Sequence, residues 1–173
     1  MKRNITGKDI LFLYLLILII PIIYMVFLPY FFNKITNLIS VYLALLTILI
    51  IITFINILLK KPYIAITFSC HQDKNKSFNF IYKYLGICAR CAGIYLGIFF
   101  SIILILLASP WYVYFLIGIP LIIDGITQYK GFRNSNNFIR LLTGFLFGPT
   151  LVYILYLFHY CLYQIAYYFY SLL

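Results

Sequence analysis

The sequence predicts an all-α integral membrane protein of about five transmembrane helices, with a small cytoplasmic Cys/His loop module between the second and third. Three observations carry that expectation. Of the 173 residues, 65% are hydrophobic and 9% charged, where a soluble domain carries roughly 25% charged residues. The apolar residues form runs of bilayer length instead of single stripes on polar helices. The Lys and Arg residues gather in alternate loops, which orients those runs across a membrane.

The first span is expected at about 10–32, after a short basic segment at 1–9. A signal peptide has an apolar stretch of roughly 7–15 residues and a small-residue cleavage site. This run is longer and lacks the site, so it reads as a retained span, with kinks expected at Pro21 and Pro29. A polar turn at 33–37 leads to a second span at 38–59, which stops at Lys60-Lys61-Pro62. Residues 63–92 are mixed and polar, enough for a small extramembrane module. The third span is expected at about 92–108, before Ser109-Pro110, and the fourth at 111–128, with Asp124 in its last turn. The last apolar run, 138–173, would be roughly 54 Å long if wholly helical, well over one bilayer. One span at 138–160, bent near Gly148-Pro149, is expected, followed by an interfacial tail carrying Tyr163, Tyr167, Tyr168 and Tyr170. With no internal repeat, residues 1–173 read as one multi-pass domain.

Charge sets the orientation. Lys2, Arg3 and Lys8 lie at the N-terminus, and Lys60, Lys61, Lys74, Lys76, Lys83 and Arg90 in the second loop. Lys130, Arg133 and Arg140 lie in or beside the fourth loop. Of the thirteen Lys and Arg residues, Lys34 alone falls on the other side. The positive-inside rule therefore places the N-terminus and both motif loops in the cytoplasm and the C-terminus outside, in the inner (cytoplasmic) membrane of a cell. Membrane lipids are the partners this composition implies; nucleic acid is not among them.

The second loop holds the densest chemistry. Cys70, His71, Cys88 and Cys91 fall within a short stretch that runs directly into the third span. A reducing compartment makes a stable disulfide unlike this setting. The spacing Cys88-x-x-Cys91 aims two thiolates at one metal, and Cys70-His71 can supply the rest of a tetrahedral set. Zn2+ suits thiolate with imidazole and needs no redox partner. Basic neighbours at Lys74, Lys76, Lys83 and Arg90 would favour thiolates. Two other readings stay open. The cysteines can be small half-buried residues beside a solvated His71, or a redox pair, which suits an extracytoplasmic face better.

The second constellation lies at the polar ends of the last helices. Asp124, Thr127 and Gln128 share one helix face, and an ionisable residue at that depth needs a partner. Arg140 or Arg133 is the expected one. Asn136, Asn137, Arg140, Thr143 and Gly144 fall within a sector of roughly 140° on the last helix. Such a pocket suits a phosphate or polar headgroup, because Arg binds phosphate bidentately. The alternative is an Asp124–Arg140 pair that sets helix register while the amides cap helix ends. Ala89, Gly93, Gly97 and Ser101, and Arg140, Gly144 and Gly148, form small-residue ridges for close helix packing.

Several activities are excluded. The three acidic residues are Asp9, Asp73 and Asp124, with no Glu, which removes the HExxH metalloprotease helix and the Glu-dependent zinc deaminase mechanism. Asp124-Gly125 begins like a CDP-alcohol phosphotransferase motif but lacks the downstream aspartates. No P-loop or Ser-His nucleophile pair is present. His159 and Cys161 read as core or interface residues.

The motifs CHQ (70–72), SF (77–78), CARCxGIYLG (88–97), DGxTQ (124–128) and GxRxSNNxxRxxTG (131–144) occur in order. Over 63–148 the chain thereby resembles domain-of-unknown-function family 2085, prokaryotic membrane proteins, with Ala92 in place of the Thr expected there. The resemblance implies a membrane fold and supports the motif residues; it adds no reaction. The leading expectation is a metal-stabilised protein that binds an anionic lipid or polyprenyl-phosphate (isoprenoid-phosphate) headgroup through Asp124, Thr127, Gln128, Arg133, Asn136, Asn137 and Arg140. The alternative is a metal-dependent membrane enzyme with Asp124 or Asp73 as base. A metal transporter or sensor is weaker, since no chain of polar residues crosses the bilayer.

Overall fold

A computed structural model describes residues 7–31, 37–59, 62–134 and 136–171. Lys2, Arg3, Lys34, Lys60 and Lys61, the polar turn at 33–36 and the proposed helix start at Ser135 lie outside the described residues. The architecture is all-helical. Two long helices, α1 (Gly7–Phe31) and α2 (Asn37–Leu59), come first. A short α3 (Tyr63–Thr67), a 3-10 turn (Lys74–Lys76) and α4 (Asn79–Leu85) form the module between the second and third spans. Helices α5 (Ala89–Leu106), α6 (Trp111–Tyr129) and α7 (Asn137–Ser171) complete the chain.

Helices Asn37–Leu59, Ala89–Leu106, Trp111–Tyr129 and the Asn137–Ile165 part of α7 are long and apolar enough to cross a membrane; among the described residues, the apolar stretch of α1, Ile10–Tyr24, is shorter. Mean hydropathy is high because the lipid-facing sides are as apolar as the core. On α6, Leu116, Ile119, Ile122, Ile123 and Ile126 are all exposed.

Helix α7 continues beyond residue 160, where its span is expected to end. It runs unbroken past Pro149 to Ser171, roughly 52 Å at the α-helical rise. Proline leaves the carbonyl four residues earlier without its usual donor. Here that carbonyl belongs to Phe145, and it lies where a Cβ on Gly97 would sit. The missing side chain lets α5 press its backbone against the site of the lost hydrogen bond, so the helix continues. The same contact recurs along the crossing: a Cβ on Gly93 would overlap the Leu141 carbonyl, and one on Gly144 the Arg90 carbonyl. The two small-residue ridges are therefore one seam, and α5 packs along α7 more extensively than any other pair.

Proline in α1 is handled differently. Pro21 frees the carbonyl of Ile17, and His159 on α7 meets it, with Nε2 3.0 Å away. Its Nδ1 lies 2.7 Å from the Leu155 carbonyl, and the imidazole is fully buried. His159 is thus a tie between α1 and α7, while Cys161 is exposed.

The module between α2 and α5 hangs on α2 through one buried amide. Asn56 Oδ1 accepts from the Ile64 N–H at 3.3 Å and its Nδ2 donates to the Tyr84 carbonyl at 3.3 Å. This fixes α3 and α4 together. Gly86, at φ 69, takes the left-handed conformation that ends α4 and turns the chain towards Cys88.

Candidate functional site

Three cysteines meet where the module returns to the membrane. Cys70 follows α3 and is anchored by its N–H to the Ala65 carbonyl at 2.7 Å. Cys88 is the N-cap of α5 and Cys91 lies in its first turn. The Cys88 N–H donates to Cys70 Sγ at 3.2 Å, and the three Sγ atoms lie within 4.8 Å of one another. Tetrahedral zinc–thiolate bonds of about 2.3 Å would set sulfurs about 3.8 Å apart, so small rotations suffice to close on an ion. The three thiols can therefore hold a metal ion.

The thiols are not equivalent. Hydrogen bonding from Cys70, then from Cys91, holds Cys88 well below the ordinary cysteine value, and the amides of Cys91 and Arg90 add to this against the opposing effect of burial. Cys70 is pushed up, first because it shares its proton with Cys88.

His71 is a correction to the expected ligand set. It is exposed and lies outside the cluster, which among the described residues contains the three cysteines alone. Neighbouring side chains on non-helical backbone diverge, so Cys70 turning in sends His71 out.

The polar constellation is built around Asp124, 4% exposed on α6. Its Oδ2 accepts from Arg90 at 2.5 Å. Its Oδ1 accepts from Arg133 and, at 2.8 Å, from Gln128 Nε2. Gln128 Oε1 then accepts from Arg140 at 2.7 Å and from Arg90 at 3.4 Å. The expected Asp124–Arg140 pair is therefore indirect, with Gln128 between them. Arg90 was not expected in this pocket. It stands between Cys88 and Cys91, so the turn of α5 that carries two thiols also carries a guanidinium into the arginine cluster.

Thr127, Asn136 and Asn137 are corrections of the opposite kind. Thr127 Oγ1 donates to the Ile123 carbonyl of its own helix at 2.9 Å. Asn136 caps α7, its Oδ1 accepting from the Phe138 N–H at 2.9 Å. Asn137 Nδ2 donates to the Ser77 carbonyl at 3.3 Å, tying α7 to the module. Short polar side chains at helix ends find backbone partners first. Asp73 is also engaged locally: it accepts from the Asn75 N–H at 3.0 Å and pairs with Lys76 at 3.0 Å. Lys76, then the Asn75 amide, hold its carboxyl below the usual range.

The arginine cluster is unbalanced. Three guanidiniums converge on one carboxylate and one amide, and two of them share a single amide oxygen. Among the described residues, the buried side-chain nitrogens and oxygens without a hydrogen-bond partner are Arg90 Nε and Arg140 Nε. Arg140 is only 8% exposed. Leaving such donors unpaired is costly, and an anion with several oxygens is the chemical group that would satisfy them.

The family described as "Predicted membrane protein (DUF2085)" matches residues 70–154, which contain both clusters. An uncharacterized protein of Methanocaldococcus jannaschii is 36% identical over 109 residues, 58% of this chain and 67% of that protein. An uncharacterized protein of Methanothermobacter thermautotrophicus is 41% identical over 81 residues, 43% of this chain and 73% of that protein. No solved structure matches this chain.

Proposed function

This chain belongs to the DUF2085 family of predicted membrane proteins, and from that premise we propose that it binds the anionic headgroup of a lipid beside a zinc ion. Arg90, Arg133 and Arg140 hold the headgroup, with Asp124 and Gln128 fixing their positions. Cys70, Cys88 and Cys91 hold the zinc. The observation that carries the reading is the convergence of half-buried Arg90 and buried Arg140 on Gln128 Oε1, each keeping a buried Nε without a partner. Like charges gathered in a half-buried place are supported by an anion between them. A phosphate-bearing lipid such as a polyprenyl phosphate has the required oxygens and is at hand in the bilayer. The distribution of basic residues supports a site at the cytoplasmic leaflet of the cell membrane.

The test is lipid mass spectrometry of the purified protein. Wild type is expected to carry a phosphate-bearing lipid that Arg140→Ala loses. Identical lipid content in both would sink the headgroup reading. For the metal, elemental analysis is expected to give about one zinc per chain, absent from Cys88→Ser/Cys91→Ser; equal background in both would remove it.

A second reading, a metal-dependent enzyme at the same leaflet, draws on the ligand count. Three thiolates leave a fourth position for water or substrate, as catalytic zinc sites do. In that reading Asp124 is a poor candidate for the base, since both its oxygens already accept from cations or amides. Release of inorganic phosphate from a polyprenyl phosphate by the zinc-loaded protein is the expected signature, and its absence rejects this alternative.

A further inference from the structure

The cysteine and arginine clusters share a stretch of backbone. Cys88, Ala89, Arg90 and Cys91 make the first turn of α5 and its cap. Two of these residues face the thiol group, and Arg90 donates to Asp124 and Gln128. No side-chain hydrogen bond caps this helix, so the turn is held from two directions: by the sulfurs towards Cys70, and by the Arg90 carbonyl, which leaves no room for a Cβ on Gly144 of α7. Cys70 arrives from the separate module, and the Cys88 N–H already points at its sulfur at 3.2 Å.

We propose that the metal at Cys70, Cys88 and Cys91 and the phosphate-bearing anion at Arg90 and Arg140 occupy one composite site, coupled through Arg90. This rests on the headgroup reading and adds a relation between its two halves. A metal that draws Cys88 and Cys91 onto Cys70 fixes the rotation of the first turn of α5 and with it the origin of the Arg90 side chain. Without it the turn rests on the Cys88 N–H contact to Cys70 Sγ, the Arg90–Asp124 pair and the α7 seam, which fix its rotation less tightly, so more of the cost of ordering Arg90 falls on anion binding. Arg133 comes from the loop between α6 and α7 and reaches the same carboxylate with no covalent tie to the cysteines. Arg90 is therefore a positioning link as well as an anion contact, and Arg133 is not.

Linkage makes the idea quantitative. If zinc strengthens anion binding by a given factor, the anion strengthens zinc binding by the same factor. The full chain in detergent micelles serves for both measurements. Zinc affinity is read by competition with a chromophoric chelator, with and without phosphatidic acid in the micelle. Phosphatidic acid binding is read by native mass spectrometry on zinc-loaded and chelator-stripped protein. A shift of about tenfold, equal in both directions, is expected. Arg133→Gln is expected to weaken lipid binding and keep the factor. Arg90→Ala is expected to bring the factor to one; if that variant does not fold, Arg90→Lys, which keeps the charge on a differently shaped head, is expected to lower it. Inorganic phosphate in place of the lipid identifies the source of the anion: a shift with either supports the composite site, and the one that produces it names the ligand. Zinc affinity that is the same with and without a lipid whose binding requires Arg140 overturns the coupling and leaves the headgroup reading standing. A factor lost equally in Arg133→Gln and Arg90→Ala also overturns it. Failure of the protein to bind any phosphate-bearing lipid removes the headgroup reading itself.

Discussion

Two buried polar arrangements in this bundle make an instructive pair: His159 near the far end of α7, and the arginine cluster at its beginning. His159 is fully enclosed, and each ring nitrogen faces a carbonyl at ordinary hydrogen-bonding distance. One of those carbonyls needed a partner because Pro21 could not supply it. The arginine cluster is enclosed to a similar degree at Arg140 and Asp124, yet it ends with more donors than acceptors. Donation from His159 Nε2–H to the Ile17 carbonyl stands in for the N–H that Pro21 lacks, so the first arrangement mends the backbone and is architecture. The second closes only if something with oxygens is added. Burial does not separate the two arrangements; the excess of donors in the second does.

The largest expected effect comes from deepening the imbalance. Asp124→Asn keeps the shape of the side chain and removes the one carboxylate that Arg90, Arg133 and Gln128 share. Breaking a buried charge network by removing one partner costs roughly 3–5 kcal/mol. Thermal unfolding of the purified variant in detergent should show a large fall in midpoint, partly restored by added phosphatidic acid. A midpoint like that of wild type would mean the cluster is not held by Asp124, and the contrast with His159 would lose its basis.

A smaller effect tests the other member of the pair. His159→Leu leaves the Ile17 carbonyl without a donor inside the bundle, at a cost of roughly 1–3 kcal/mol. Pro21→Ala returns an N–H at the position from which a helix normally satisfies that carbonyl. The double variant should therefore lose less stability than His159→Leu alone, a coupling that a thermodynamic cycle measures directly. Zinc content and co-purified lipid should be unchanged in all three variants. If Pro21→Ala and His159→Leu act additively, the histidine is not compensating for the proline.

The contrast also explains what could be read from the residues alone. Membrane class and family were legible because apolar run length and ordered motifs are local properties of the chain. Cys70, Cys88 and Cys91 were legible as a group because two lie one helical turn apart and the third sits at the other end of one short loop. His71 was misjudged because adjacency in sequence says nothing about which side chain turns inward. Thr127, Asn136 and Asn137 were assigned to the pocket by helical phase, which fixes direction and leaves open whether a backbone carbonyl or amide will claim the side chain first. Arg90 was missed as a pocket residue for a different reason. Its partners, Asp124 and Gln128, come from another helix, and the seam of Gly93, Gly97, Gly144 and Gly148 that brings α5 onto α7 at that register is a tertiary fact. Asn56 escaped notice on the same ground: nothing on an apolar span announces that an amide braces two short helices beyond it.

The smallest expected change in stability belongs to Arg140→Met, and it separates the two kinds of buried polar group most sharply. Among the described residues the Arg140 side chain gives one hydrogen bond, to Gln128 Oε1 at 2.7 Å. Against that stand the burial of its charge, a like-charged neighbour in Arg90 and an Nε without a partner. Methionine covers the side chain as far as Nε, has a broadly similar volume, carries no charge and leaves Gln128 Oε1 with Arg90 as donor. Replacing a poorly compensated buried charge by an apolar residue of similar volume is often neutral or stabilising, so the unfolding free energy of delipidated protein should change by no more than about 1 kcal/mol in either direction. Lipid binding should fall by about tenfold or more, since a charge-assisted hydrogen bond to phosphate is lost with no replacement. His159→Leu should give the reverse pattern, with stability lost and lipid kept. A guanidinium whose removal leaves the fold intact and the ligand unbound is one retained for the ligand. If Arg140→Met instead unfolds the delipidated protein while the lipid still co-purifies, the arginine cluster is the same kind of object as the histidine tie, and the anion has to be sought elsewhere.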